Sequence, residues 1–522
     1  MRQIPLQIPT TKRLLYTELK KFVDDTQDFV PSIGIVSGLR KTGKTTLLHQ
    51  IAEEYRERKK IVHLNFRDGI VYSSPYDESL RGCTAEDVVY KLLSGDDSKF
   101  DLFLLDEITS LENYEIISGN LYNNSGGPGP GWRYKVIMTG SSPFHLHSLS
   151  SGSLGAGRSK LFRLPVLKFI EYLHIVKNVP YNDYSGVTRE DFIDYLILKD
   201  LPSDILRTFD QKYFVDYRND VEIGDEMTYN SRGYAGLGSE DLKDLAHVLS
   251  YQLAFRVGYD KFARTTSAGK HELGPLQKHK KFDLSQSLIY IRSQNIDRMK
   301  SDSLYESIAN LLHFLIGSDM VNIETTLSYE EDEAFNSTRL SRCVKNLQNR
   351  GDFLKFFEKC SISMNSPLLY SRLGDDVLSF VDLSLVKFFE LLQSRANGLL
   401  GDLLEVYLRG GIAELDTLGL PYASKKLQIG HDVEIDVINT DISIMCESTV
   451  KNKDRTRVYV ADYFKDREMI RVCTTYNLLG MRDCYHMYPW PVFCCMVDTR
   501  DVLKLPKTKH SDYLGDWQEK IT

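Results

Sequence analysis

Residues 32–48, Ser-Ile-Gly-Ile-Val-Ser-Gly-Leu-Arg-Lys-Thr-Gly-Lys-Thr-Thr-Leu-Leu, constrain the fold more than any other stretch of the chain. Positions 33–36 form a short apolar run that predicts a buried strand, and positions 46–55 carry a helical pattern. Between them, residues 38–45 fit G-x-x-x-x-G-K-[ST]. Strand, glycine loop and helix in that order predict a loop whose backbone N–H groups close around a phosphate. Gly38 and Gly43 let the backbone curl inward. Lys44 sets a cation on the β- and γ-phosphate oxygens, Thr45 offers a hydroxyl to Mg²⁺, and the helix adds its positive N-terminus. The expected nucleotide contacts are Gly38, Leu39, Arg40, Lys41, Thr42, Gly43, Lys44, Thr45 and Thr46. The alternative for such a pattern is a glycine turn that binds nothing, and the flanking strand and helix argue against it.

A chain of 522 residues is too long for one hydrophobic core and predicts several domains. Its 42% hydrophobic and 26% charged content is that of a globular protein. No apolar run reaches the ~20 residues of a membrane helix, and the N-terminal Met-Arg-Gln-Ile-Pro lacks a signal peptide's apolar core. Eight scattered cysteines without C-x-x-C spacing speak against a disulfide framework and a structural zinc site. Together these predict a cytoplasmic protein with no membrane partner. The net charge of −7 confines any nucleic-acid contact to a local basic patch.

Along the chain, residues 12–24 space their apolar side chains for a helix leading into the loop strand, and 60–66 read as a second strand. Thr84 to Asp87 resemble a capping box opening a helix through Leu93. Residues 101–107 form an apolar strand ending in two carboxylates, and a helix rich in Leu, Tyr and Ile follows. Residues 123–131 hold too much Gly and Pro to be regular. Residues 135–142 and 159–165 predict two further strands. Alternation of this kind predicts a parallel sheet with helices on both faces. Between about 171 and 390 helical patterns dominate, at 190–196, 240–249 and 303–315, and the locally basic 270–281 reads first as a solvated loop. Beyond residue 398 strand and helix signals mix again.

The acids tipping the 101–107 strand have the form of a Walker B segment. Asp106 would hold Mg²⁺ through water at the end of the strand beside the phosphate loop, and Glu107 would polarise the water attacking the γ-phosphate. Thr139, Ser141 and Ser142 end the next strand, where a polar side chain could sense the γ-phosphate or, equally, a serine could cap a helix.

Residues 38–45, 104–107, 138–142 and 157–158 together resemble the AAA-type ATPase domain of prokaryotic ATP-binding proteins that carry a DUF4143-like C-terminal domain. The resemblance implies a sheet with the loop strand near its centre and Arg158 as a catalytic γ-phosphate sensor beside Lys44 and Glu107. As a lone residue Arg158 would be an ordinary surface or ion-pair arginine. Residues 167–171 fill the place of the family's Phe-x-Glu segment, 378–386 resemble the strand before its last domain, and 401–405 the start of that domain's first helix. Residues 434–437 and 444–449 resemble the central hairpin of a restriction-endonuclease-like fold, with Asp436 and Glu447 matching its metal-holding acids. Thr449 stands where that pattern has lysine, and Lys451 lies further along the same strand face.

The expected fold is therefore α/β: a P-loop ATPase parallel sheet with flanking helices over 1–170, a mostly helical region over 171–397 with a candidate winged helix, and a small α/β endonuclease-like domain over 398–522. The expected function is ATP binding with Mg²⁺-dependent hydrolysis, switching a protein or nucleic-acid partner, alone or as an oligomer. The alternatives are an ATP-gated nuclease using Asp436, Glu447 and Lys451, and a scaffold that binds nucleotide without turnover.

Overall fold

The computed structural model describes residues 9–25, 32–39, 42–74, 77–91, 100–111, 113–124, 134–140, 146, 159–202, 205, 321–328, 360–364, 366–368, 396–415, 423–429, 433–439, 442–448, 467–475, 477–482 and 484–509. They fall into two compact units, Met1–Leu167 with Gly317–Asp319, and Lys168–Ile316 with Met320–Thr522. The helices expected at 240–249 and 303–315, the basic segment 270–281 and the strand at 378–386 lie outside the described residues. No described helix is long and apolar enough to cross a membrane.

In chain order the first unit runs α1 (Leu14–Asp24), β1 (Ile33–Ser37), α2 (Lys44–Tyr55), β2 (Ile61–Asn65), β3 (Ile70–Ser74), α3 (Ala85–Lys91), β4 (Leu102–Asp106), α4 (Tyr114–Asn124), β5 (Lys135–Thr139) and β6 (Ser159–Arg163). The strands make one sheet in the order β3-β2-β4-β5-β1-β6, parallel throughout except for the β2–β3 pair. Strands β1, β4 and β5 are buried at every position, as parallel strands covered on both faces must be. Strand β6 alternates towards exposure and closes one edge.

One expectation about strand order is overturned: β1 is one strand from the edge, not near the centre. The acid-tipped strand β4 ends beside the loop as expected, with Thr45 bonded to Asp106, although β5 separates β4 from β1. A run of apolar residues fixes that a strand is buried but not which neighbours it takes. The antiparallel β3 was not anticipated either, since only Val71 and Ser73 of its five residues are buried. The capping box at the head of α3 is present, with Thr84 N–H donating to Asp87 Oδ2 at 2.9 Å and Asp87 N–H to Thr84 Oγ1 at 3.1 Å.

Alternation along the strands sorts side chains to two helical layers. Val36, Ile61, Leu102, Leu104 and Ile137 pack with Leu19, Phe22, Leu47, Leu48 and Ile51 of α1 and α2. Ile35, Val62, Phe103, Leu105 and Met138 pack on the other face with Val88 of α3 and with Ile117 and Leu121 of α4. By the same alternation Asn65, Asp106 and Thr139 fall on the α1–α2 face. The sheet thus delivers three polar strand ends beneath the first turn of α2.

The second unit contains α5 (Phe169–Lys177), α6 (Arg189–Leu196), β7 (Val321–Ser328), β8 (Cys360–Met364), α7 (Ala396–Leu415), β9 (Ala423–Ile429), β10 (Val433–Asn439), β11 (Ile444–Glu447), β12 (Ile470–Thr475), β13 (Gly480–Arg482), β14 (Tyr485–Pro489) and α8 (Trp490–Asp498). Its eight strands run in the order β13-β14-β12-β11-β10-β9-β7-β8. Strands β9, β10 and β11 pair antiparallel, whereas β11, β12 and β14 pair parallel. Strands β7 and β8 come from the stretch expected to be mostly helical. They extend the C-terminal sheet, and β7 pairs parallel with β9, some hundred residues downstream. Local periodicity cannot register a pairing over that separation.

Helix α8 buries eight of its nine residues, including Trp490, Phe493 and Asp498. At its end the Asp498 carboxylate accepts Tyr407 O–H at 2.6 Å and the Ile170 N–H at 3.1 Å, while Tyr407 Oη accepts the Phe169 N–H at 2.9 Å. A carboxylate and a hydroxyl from two other helices thereby cap the first turn of α5. Lys168 Nζ, one residue earlier, pairs with Glu414 at 3.0 Å. Desolvation pulls the Lys168 pKa down, but the Glu414 and Asp498 carboxylates outweigh it and hold the pKa above its ordinary value. Burial pushes Asp498 up to about 7, against the pull of Lys168 and the bonds from Tyr407 and Ile170.

The folded pKa of Asp498 lies above the unfolded carboxylate value of about 4, so its ionisation favours the unfolded chain, and stability is lost as pH rises from there towards 7. Asp498→Asn disturbs the acceptor pair and should lower stability at pH 5 by roughly 1–3 kcal/mol. The gap to wild type should narrow at pH 8, where the wild-type carboxylate is charged. Denaturant melts at both pH values check this, and a gap independent of pH would contradict it.

Candidate functional site

Two glycines shape the loop between β1 and α2. At Gly38 a Cβ would stand 2.3 Å from the Leu164 carbonyl oxygen, so only hydrogen fits there. Gly43 has φ +97° and turns the chain into α2 as its N-cap. Thr42 Oγ1 donates back to Leu39 O at 2.7 Å. Lys44 is buried, and its Nζ donates to Gly38 O at 2.8 Å and Leu39 O at 2.9 Å, which holds the ammonium across its own loop.

The next residue, Thr45, donates from Oγ1 to Asp106 Oδ2 at 2.8 Å. Asp106 is fully buried, and two more neutral groups hold it: Asn65 Nδ2 donates to Oδ2 at 3.0 Å and Thr139 Oγ1 donates to Oδ1 at 2.5 Å. Three elements, α2, β2 and β5, thus supply hydrogen bonds to one carboxylate without supplying a charge. The nearby imidazoles do not supply it. Burial presses His63 down to about 4 although Asp106 pulls the other way, and burial likewise lowers His49, whose ring meets His63 edge-on at 5.1 Å. Burial thus disfavours the charged form of both rings. A buried carboxylate with only neutral donors beside a helix-borne hydroxyl is an arrangement that could hold a hard divalent cation, Thr45 directly and Asp106 through water.

Glu107 follows Asp106 in the left-handed region at φ 56°, uncommon for a residue with a side chain. Its N–H donates to Thr139 Oγ1 at 3.4 Å, so one threonine hydroxyl touches both acids. Its Oε2 is buried without a hydrogen-bond partner. An unsatisfied buried carboxylate oxygen is costly and is retained where a ligand or a water completes it.

Of the residues expected at this site, Gly38, Leu39, Thr42, Gly43, Lys44, Thr45 and Thr46 lie on the loop and the first turn of α2, and Asp106, Glu107 and Thr139 lie on the strand ends beneath it. Arg40, Lys41, Ser141 and Arg158 lie outside the described residues. Sequence reasoning passed over Asn65. A polar residue closing the apolar run of β2, beside a strand that itself ends in acids, was the available signal.

The second acid pair is in the C-terminal sheet. Val437 opposes Cys446 across β10 and β11, so one step along the same register Asp436 opposes Glu447. Asp436 Oδ2 accepts both the backbone N–H and the hydroxyl of Ser448 at 2.7 Å. Arg409 of α7 donates Nε to the Asp436 carbonyl at 3.3 Å and pairs with Glu405. Among the described residues no group of three or more acids, histidines or cysteines converges to hold a metal. Thr449 and Lys451 lie outside them.

Residues 31–173 match the family model of the AAA domain. Comparison with curated proteins gives no match. Among solved structures, a Walker-type ATPase of Pyrococcus abyssi is 13% identical over 61% of this chain and 94% of its own, with a TM-score of 0.33. The ORC2 protein of Aeropyrum pernix, in ADPNP–ADP complexes, is 14% identical over 66% and 97%, also with a TM-score of 0.33. AMPPCP-bound DnaA from Aquifex aeolicus is 17% identical over 56% and 95%, with a TM-score of 0.25.

Proposed function

We propose, from the AAA domain match over residues 31–173 and the geometry around Asp106, that the protein binds ATP and hydrolyses it with Mg²⁺. One observation carries the reading: Thr45, at the head of the loop helix, is bonded to Asp106, and the next residue, Glu107, keeps a buried oxygen without a partner. Gly38 to Thr46 cradle the phosphates through backbone N–H groups and the Lys44 ammonium. Thr45 would hold the metal directly and Asp106 would hold it through water, and the bound metal would supply Lewis-acid chemistry. Glu107 Oε2 orients the attacking water and accepts its proton. Thr139, bonded to both acids, keeps them in register. Arg158 is assigned to the γ-phosphate on the sequence resemblance alone, and Ser141 on its place just past the strand that ends at Thr139. Glu107→Gln keeps the shape and removes the base, so ATP should bind normally while turnover falls by about a hundredfold or more. Single-turnover phosphate release against nucleotide affinity measures both, and hydrolysis at the wild-type rate would make Glu107 a structural acid.

We further propose that turnover switches the chain between states read by a protein or nucleic-acid partner, in the cytoplasm. Cys83, Cys446, Cys473, Cys484, Cys494 and Cys495 are free thiols. The C-terminal unit is read as DUF4143-like on its succession of α7, the antiparallel β9-β10-β11 and the parallel β12. One observation favours a nuclease as the second reading, the placement of Asp436 across from Glu447. Against it, Ser448 already engages Asp436 twice, and threonine stands at the position of the expected lysine. Duplex DNA incubated with the protein and Mg²⁺ or Mn²⁺, with and without ATP, should stay intact. Cutting abolished by Lys451→Ala would reverse this assignment.

A further inference from the structure

Arg13 lies just before α1, far in sequence from every motif of the site, and outside the stretch that matches the AAA domain. Its guanidinium nevertheless reaches the phosphate loop. Nη1 donates to the Thr42 carbonyl at 2.9 Å, while Nη2 donates to the Pro165 carbonyl at 3.0 Å and lies 3.5 Å from that of Val166. The segment bridged to the loop is the one that already abuts it. Leu164 N–H donates to Ser37 O at 2.7 Å, and the Leu164 carbonyl presses against Gly38. One planar cation therefore ties the late part of the loop to the chain leaving β6, while the early part is held by direct backbone contact.

The Thr42 carbonyl has a consequence that its neighbours lack. It shares a peptide unit with the N–H of Gly43, and in a planar trans peptide the C=O and N–H point in opposite directions. An arginine that holds the Thr42 oxygen outwards thereby turns the Gly43 N–H to the opposite side of the loop. Gly43 is the residue whose φ of +97° swings the chain into α2, so this peptide has no helical hydrogen bond to fix its orientation before the helix begins. Guanidinium suits the task because its donors lie in a rigid plane and its charge is permanent, whereas a lysine ammonium offers one centre for two separated carbonyls.

We propose that Arg13 is a positioning residue for nucleotide binding: by holding the Thr42 carbonyl it orients the Gly43 N–H towards the β-phosphate. The assignment rests on the ATP-binding reading above. It acts through the backbone, so its effect falls on affinity for any nucleotide with a β-phosphate, ADP as much as ATP, and not on the chemistry at Glu107.

The test is ADP titration by calorimetry of the full chain as wild type, Arg13→Ala, Arg13→Lys and Lys44→Ala, with the Gly43 amide followed by NMR in [15N]glycine-labelled protein. Arg13→Ala should weaken ADP by ~10–100-fold, the scale of losing a charge-assisted contact in a binding loop. Arg13→Lys, which keeps the charge and the stem and so guards against a folding defect, should still bind ~5–10-fold more weakly than wild type, because it cannot bridge both carbonyls. At saturating ADP the Gly43 amide signal should move strongly in wild type and much less in either variant, a readout that a general loss of packing would not single out. Weak binding by Lys44→Ala with normal binding and a normal Gly43 shift in both Arg13 variants would overturn the Arg13 assignment and leave the phosphate loop standing. Normal binding by Lys44→Ala, or no ADP binding by wild type, would overturn the phosphate-loop reading itself and the Arg13 assignment with it.

Discussion

The buried carboxylate of Asp106 is the constraint on which the first unit depends. A carboxylate taken out of water costs several kcal/mol unless hydrogen bonds replace its hydration. Here the replacements come from Thr45, Asn65 and Thr139, each on a different element. Satisfying the acid therefore fixes the head of α2 against the ends of β2, β4 and β5 together. The strand order makes this necessary. With β5 between β1 and β4, the loop strand and the acid strand stand about 10 Å apart at the usual spacing. The helix leaving β1 must lean across β5 to bring Thr45 to Asp106, and Thr139 on β5 fills the space beneath. The result is a carboxylate with neutral donors beside a neighbouring acid whose Oε2 is buried without a partner.

The second unit solves a similar problem at a different place. The first turn of α5 needs acceptors for its N–H groups, and Asp498 and Tyr407 provide them from α8 and α7. Burial raises the acid to about 7, and Lys168, itself paired with Glu414, keeps the cluster from carrying uncompensated charge. Around it Phe169, Phe192, Tyr195, Tyr407 and Trp490 pack edge to face. The helix that follows the P-loop unit in the chain is thus fastened to the C-terminal helices by polar contacts within an aromatic core.

The features legible in the sequence were those in which the chemistry is contiguous. The loop from Gly38 to Thr45, the strand before it, the acids ending β4 and the capping box at Thr84 each occupy a few consecutive residues, so spacing reports geometry directly. What depended on partners far along the chain was not legible. The position of β5 between β1 and β4, the edge strand β3, and the recruitment of β7 and β8 from a stretch read as helical all follow from pairings that local periodicity does not encode. Asn65 and Arg13 escaped for the same reason. Each acts on the site through one long-range bond, Asn65 to an acid 41 residues on and Arg13 to a carbonyl 29 residues on, and neither sits in a recognisable motif.

The central claim, that Asp106 is built to meet a divalent cation delivered with nucleotide, is tested most directly by titrating ATP into wild type and Asp106→Asn, with Mg²⁺ and with EDTA. The account predicts that Mg²⁺ tightens ATP binding to wild type by about tenfold or more, on the scale of a charge-assisted contact in a buried site. In Asp106→Asn the Mg²⁺-free affinity should remain near that of wild type while the gain from Mg²⁺ disappears. A variant that keeps the full Mg²⁺-dependent gain would contradict the claim, and would reduce the Thr45–Asp106 bond to a brace for the fold.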